Sequence, residues 1–304
     1  MVRLLGIGDN TVDIYLSEGM QYPGGNAVNV AVQARWCGAR ASYLGCVGHD
    51  ALGDLVFDSL VAEDVDVSHV RRIDGPNPRS RIRHEGADRV FIGSNPGVRS
   101  RYDLTAEDDA FIAAHTVVHT SVHSDLDGAI GRLRATAKLL SYDFSEHWER
   151  PGPTASLPQV DIAFLSTARL SDAACEMLLR WAAAQGPEIV VATRGAAGAA
   201  AFHRGQMIWM PAHPVDAPDG VVDTLGAGDG FIAGFLVAHA EGLAPSACLA
   251  CGAEQAARVC ATKGGFGHGI PIEPSQPGLD PAFIVNRPGA AAPEPSIQQK
   301  EAET

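Results

Sequence analysis

Short apolar runs alternate with helix-like patterns along most of this chain. Residues 2–8, 41–47, 70–73, 116–120, 139–144, 160–165 and 188–193 read as buried strands. Between them, residues 25–37, 51–64, 126–137 and 171–185 carry helical patterns. Residues 199–203 and 206–210 form two further strands joined by Arg204-Gly205, a hairpin signal. Two last helices are predicted over 226–241 and 245–263. Strands and helices in alternation predict an α/β fold with a mostly parallel sheet covered on both faces. Residues 11–16 and 79–93 break the rhythm: both are short, alternating and polar on one side. They are expected to pair as a small antiparallel sheet outside the core, a lid, with a turn at Gly86-Ala87-Asp88.

Composition narrows the picture. With 304 residues, 46% hydrophobic and 19% charged, the chain supplies one large core. A single domain is expected over residues 1–285. The Ala-, Pro-, Glu- and Gln-rich stretch 286–304 is predicted to be disordered. A net charge of −13 argues against nucleic acid or an anionic membrane as partner. No apolar run approaches the about 18 residues of a membrane span. Met1-Val2-Arg3-Leu4-Leu5 reads as the start of a strand rather than a signal peptide, so a cytoplasmic location is expected. Cys248 and Cys251 sit in an Ala-rich helical pattern as small buried thiols. His119 and His123 have no carboxylate at metal-ligand spacing and are not expected to hold a metal.

The chemistry concentrates at both ends. In Asp223-Thr224-Leu225-Gly226-Ala227-Gly228-Asp229, a Gly-Ala-Gly turn opens a helix. The N–H groups of Gly226, Ala227 and Gly228 suit a phosphate. Asp229 would stand beside a transferred phosphoryl group and take a proton from an attacking hydroxyl. The alternative is an ordinary helix cap. Asp9, Asn10 and Asp13 leave the first strand at its C-terminal end, where open α/β sheets bind ligands. Asp13 can accept two hydroxyl hydrogen bonds, which suits a polyol. Gly24 and Gly25 allow close backbone approach, and Asn26 and Asn29 project together from the first helix. Asn26 also fits a helix cap and Asp13 a turn.

Three segments together resemble the ribokinase-type (PfkB) carbohydrate kinases: Pro23-Gly24-Gly25-Asn26-Ala27-Val28-Asn29-Val30-Ala31, the stretch ending at Asp229, and Thr193-Arg194-Gly195-Ala196-Ala197-Gly198. The resemblance runs over about residues 1–270 and implies a ribokinase-like three-layer α/β/α sandwich with a β lid. It implies ATP and magnesium, with potassium as a monovalent cation held near Asp223. Asp13, Gly25, Asn26 and Asn29 would hold the sugar. Thr193, Gly195 and Gly198 would line the nucleotide, while Gly252, Ala256 and Gly264 would close the adenine pocket or simply pack helices. Within the family, Ile7-Gly8-Asp9-Asn10-Thr11-Val12-Asp13, Asp88-Arg89-Val90-Phe91 and Asp143-Phe144-Ser145 are similar to the fructoselysine 6-kinases, which phosphorylate a primary hydroxyl of a ketose joined to an amine. That adds Arg89 as a substrate contact. A kinase for another ketose, a sugar acid or a nucleoside is the nearest alternative, and a catalytically silent sugar or nucleotide binder a further one. A homodimer through the lid is expected. Two departures stand out. Ser166-Thr167-Ala168-Arg169 replaces the family's N-x-x-E magnesium pattern, leaving Asp143 as a candidate ligand, and Gly230 follows Asp229. Arg79, Arg81 and Arg83 share one face of a strand, either gripping a substrate carboxylate or decorating the solvent side of an edge.

Overall fold

The computed structural model describes residues 1–85, 88–99 and 103–272, without the side chains of residues 84, 85, 88–90 and 151. The expected turn at Gly86-Ala87, the tail 286–304 and the side chain of Arg89 lie outside the described residues.

The strands are β1 (Arg3–Gly8), β2 (Thr11–Tyr15), β3 (Met20–Gly24), β4 (Arg40–Gly48), β5 (Arg71–Ile73), β6 (Arg79–Glu85) and β7 (Asp88–Asn95). They continue with β8 (Val117–Ser121), β9 (Leu140–Asp143), β10 (Ile162–Ser166), β11 (Ile189–Thr193), β12 (Ala199–His203), β13 (Gln206–Met210) and β14 (Ile270–Pro271). The helices are α1 (Asn26–Trp36), α2 (Ala51–Ala62), α3 (Ala106–Ala113), α4 (Ile130–Thr136), α5 (Pro151–Thr154), α6 (Asp172–Ala183), α7 (Ala227–Ala240) and α8 (Pro245–Val259).

Nine strands form one sheet in the order β13-β12-β11-β10-β9-β8-β1-β4-β5. Only β12 runs against the others, pairing antiparallel with β11 and, through the hairpin expected at Arg204-Gly205, with β13. Successive residues of each strand face opposite layers. Leu4, Val117, Ile162 and Phe164 join one buried cluster under α1, α2, α7 and α8. Leu5, Val118, Ala163 and Leu165 join a second, under α3, α4 and α6. Both faces are therefore covered, which gives the three-layer sandwich. The chain moves outward from β1 through β4 in one direction and from β8 through β11 in the other. The order reverses between β1 and β8, the position where sheets of this kind bind ligands.

A second sheet, β14-β3-β2-β6-β7, carries the expected lid segments. The pairing differs from expectation. β6 and β7 pair antiparallel, as expected within residues 79–93, but β2 and β6 run parallel and β2 takes β3 as its antiparallel partner. The strand β3 was hidden because Tyr22-Pro23-Gly24-Gly25 reads as a turn. Tyr15, Tyr22 and Ile82 form the buried face of this sheet. One edge of the sheet is β7, where Phe91 is 50% exposed. It is β7, and not β6, that presents an edge.

Helix α3 was not expected. Its start nonetheless carries a sequence signal, a capping box in which Thr105 and Asp108 exchange hydrogen bonds with each other's backbone. The region 126–137 begins as a 3₁₀ turn, Asp127–Ala129, before becoming α4.

Candidate active site

The site is assembled at the C-terminal ends of β1, β8 and β9 and the N-termini of α1 and α7. Gly25 ends the turn before α1 at φ 109°, and a Cβ there would lie 2.5 Å from the Cα of Asn10. No side chain within α1 caps its first turn. Asp9 does so from β1: its carboxylate accepts the N–H groups of Asn26 (2.7 Å) and Ala27 (3.3 Å). Ser121 and Ser124 also donate their hydroxyls to it, at 3.2 and 2.8 Å. A negative charge at this helix end is favourable. Asp9, expected at the sugar, is thus taken up in holding α1. Asn10 likewise turns inward, donating to the Tyr43 hydroxyl (3.1 Å) and the Cys46 carbonyl (2.6 Å).

With α1 fixed, its first turn faces α7. Asn26 Nδ2 donates to Asp229 Oδ1 at 2.7 Å, and Asn29 Nδ2 to Asp229 Oδ2 at 2.6 Å. The same Asn26 nitrogen donates to Asp143 Oδ2 at 2.9 Å. Two carboxylates, from β9 and α7, therefore share one amide. Asp229 is half-buried as a residue, but its carboxylate is turned into the protein. Loss of solvent pushes its pKa up to about 8, against the opposing donation from Asn29, with Asp143 and Asp9 adding repulsion. Burial likewise raises Asp143, to about 6, while the Ser145 N–H pulls it back.

Asp13 and Gly24 border the same space. A Cβ on Gly24 would come 2.7 Å from Asp13 Oδ2 and 3.7 Å from Asn29 Oδ1. Asn29 Oδ1 is buried, and no partner accompanies it among the described residues. A buried acceptor without a donor is costly to leave so, and a hydroxyl-bearing ligand would satisfy it.

The Gly226-Ala227-Gly228 turn opens α7, as expected. Gly226 precedes α7 in the left-handed conformation, φ 75°, and Gly228 is exposed. The Ala227 N–H makes a long bond, 3.3 Å, to the Thr224 carbonyl. Asp223 is buried and accepts from the Tyr15 hydroxyl (2.5 Å), the Gly264 N–H (3.0 Å) and the Leu225 N–H (3.0 Å). These donors account for its burial without a cation. Gly264 is correspondingly buried, held by Asp223 rather than open to a nucleotide.

Thr193 and Gly195 lie at the C-terminal end of β11, with Gly195 exposed and Gly198 bonded back to the Gly195 carbonyl. The other two adenine candidates part company with that edge. Gly252 is buried on α8, where a Cβ would meet the Phe231 carbonyl at 2.9 Å, so it serves helix packing. Ala256 packs half-buried against the same core. Gly230 belongs to this interface too, its Cα facing Val259. It brings α7 and α8 together.

The arginine stripe also changes meaning. In-register pairs put Asp13 with Ser80 and Tyr15 with Ile82 on one lid face, and Ile14 with Arg81 on the other. Arg79, Arg81 and Arg83 therefore face away from Asp13, which removes the carboxylate-gripping role.

One side chain joins this cluster that the sequence did not point to. His119, fully buried on β8, lies 2.9 Å from Asn26 Oδ1 through Nε2 and 2.9 Å from the Ser141 hydroxyl through Nδ1. Nothing in the sequence links residues 93 positions apart. Among the described residues no group of three His, Cys, Asp or Glu side chains gathers to hold a metal, and no helix is long and apolar enough to cross a membrane. A cavity of about 900 Å³ lined by Arg3, Arg40 and His115 opens at the opposite ends of β1 and β4, away from these residues.

A glycine turn at a helix N-terminus beside a carboxylate, at the reversal point of a three-layer sheet, is the arrangement expected of a phosphotransferase of the ribokinase type. Residues 5–272 match the pfkB family of carbohydrate kinases, and the chain belongs to that family. It is an ATP-dependent kinase. It is 37% identical to fructosamine kinase FrlD of Bacillus subtilis over 89% of this chain and 95% of that one. Fructoselysine 6-kinase of Escherichia coli is 34% identical, covering 85% of this chain and 97% of that one. Among solved structures, Arabidopsis thaliana ribokinase complexed with ribose and ATP superimposes with a TM-score of 0.76 at 21% identity, over 87% of this chain and 94% of that one.

Proposed function

We propose that this kinase transfers the γ-phosphoryl group of ATP to the primary hydroxyl of a sugar joined to an amine, a fructosamine such as fructoselysine. The observation that carries the reading is the Asp229 carboxylate, suspended between Asn26 and Asn29 beside Asp13 and the anion turn. Identity of 34–37% to the fructosamine and fructoselysine kinases supports the sugar-amine class.

Asp13 and the unpartnered Oδ1 of Asn29 receive substrate hydroxyls, and the lid sheet carrying Asp13 excludes water. The acceptor hydroxyl lies against Asp229. Its oxygen bonds to the γ-phosphorus as the bond to the bridging oxygen breaks, ADP departs, and the hydroxyl proton passes to Asp229. Backbone N–H groups of Gly226, Ala227 and Gly228 steady the charge in flight. Asp143 fits magnesium: it is an oxygen donor with lone pairs left over from Ser145 and Asn26, and magnesium takes few protein ligands beside phosphates and water. Bound there, magnesium would neutralise phosphate charge.

The test is a panel of fructoselysine, other amine-linked ketoses, free fructose, a sugar acid and a nucleoside, scored by ATP turnover and phosphorylated product mass. Highest kcat/KM on an amine-linked ketose is expected. Equal or better turnover of an unconjugated sugar, acid or nucleoside would overturn the assignment.

A further inference from the structure

Building on that reading of the site, we propose that His119 is a positioning residue for phosphoryl transfer, fixing the rotation of the Asn26 amide and through it the carboxylates of Asp229 and Asp143. The Asn26 amide has two ends of opposite character. Its nitrogen donates at once to Asp143 (2.9 Å) and Asp229 (2.7 Å). Rotated by half a turn, it would aim its oxygen at both carboxylates and lose both bonds. The α1 backbone does not prevent this, since the amide turns about a side-chain bond.

His119 prevents it. Its Nε2 stands 2.9 Å from Asn26 Oδ1, an atom that only accepts, so Nε2 carries the hydrogen. Burial keeps the ring neutral, far below its usual pKa, at about 3. Nδ1 is then a bare lone pair and accepts from the Ser141 hydroxyl at 2.9 Å. Ser141 therefore selects the tautomer, His119 selects the amide rotamer, and the amide selects the placement of the base. Each link but the last sits on a strand of the rigid sheet: Ser141 on β9, His119 on β8. Ser141, His119 and Asn26 are all buried, so water cannot substitute for a missing donor between them.

The proposal is tested by a double-mutant cycle. His119→Leu should lower kcat by about 10²-fold and leave the sugar KM within about twofold of wild type. His119→Gln, whose amide nitrogen reaches the position of Nε2, should recover most of that loss. Asn26→Ala combined with His119→Leu should be no slower than Asn26→Ala alone, within about twofold. Losses that multiply, or a His119→Leu variant with wild-type kcat, would overturn the positioning role. A second readout needs no turnover. Histidine ¹⁵N NMR of the wild-type protein should show His119 as the neutral Nε2–H tautomer, and Ser141→Ala should weaken that preference. A charged ring or an Nδ1–H tautomer overturns the inference whatever the enzyme's substrate proves to be. Absence of sugar-dependent turnover with the expected tautomer in place would instead count against the proposed reaction.

Discussion

Asp229 combines two demands that pull against each other. A base must be ionised to take a proton, yet its carboxylate is turned away from solvent and near Asp143 and Asp9, which pushes its pKa up to about 8. Asp229→Asn keeps the shape and removes the base. Turnover is expected to fall by about 10²–10⁴-fold, with ATP and sugar binding little changed by calorimetry. The same substitution has an opposite effect on stability. A carboxyl whose folded pKa lies above its unfolded value near about 3.9 favours folding while protonated. That contribution is whole below the unfolded pKa and is lost as pH climbs to about 8. Asp229→Asn does not titrate, so its melting temperature relative to wild type should rise between about pH 5 and pH 9. A constant difference would show that Asp229 stays solvated. Of these residues, Asp229, Asn26 and Asn29 were legible because glycine-flanked motifs mark them. His119 was not, because the amide it serves belongs to a different element and meets it only after the sheet has formed.

Among the elements, α7 and α8 show what glycines inside a helical pattern are for. A Cβ at Gly234 would come 2.6 Å from the Cys251 carbonyl oxygen, a backbone atom that cannot swing aside. Gly234→Ala should therefore destabilise the protein by about 1–3 kcal/mol in denaturant unfolding, whereas Gly128→Ala, which meets nothing within 4 Å, should be neutral or better. The lid strands give a second expectation. Because the β2–β6 register puts Arg81 opposite the Asp13 face, Arg81→Gln and Arg83→Gln should leave KM unchanged, within about twofold, for amine-linked sugars with and without a free carboxylate. A rise confined to the acidic conjugate would restore the discarded role. Strand positions in the main sheet were readable from apolar runs, and the β12–β13 hairpin from Arg204-Gly205. The parallel pairing of β2 with β6 was not, because period-two alternation tells which residues share a face but not whether the neighbouring strand runs up or down.

At the scale of the molecule, the α/β alternation foretold the three layers, while the routing of the second sheet depends on contacts no local pattern records. One of those contacts reaches further than packing. Tyr15, on the lid, donates to Asp223, which also holds Leu225 at the entrance to the anion turn and Gly264 beside it. Tyr15→Phe should speed amide hydrogen exchange at Leu225 and Gly264, residues far along the chain from the substitution, and unchanged exchange there would sever the connection. If the sugar closes the lid and the lid steadies the turn, each substrate must tighten the other by the same factor. Titrating ATP with and without sugar, and sugar with and without ATP, measures that factor twice. In Tyr15→Phe both measurements should shrink together, so that the two substrates come to bind as strangers.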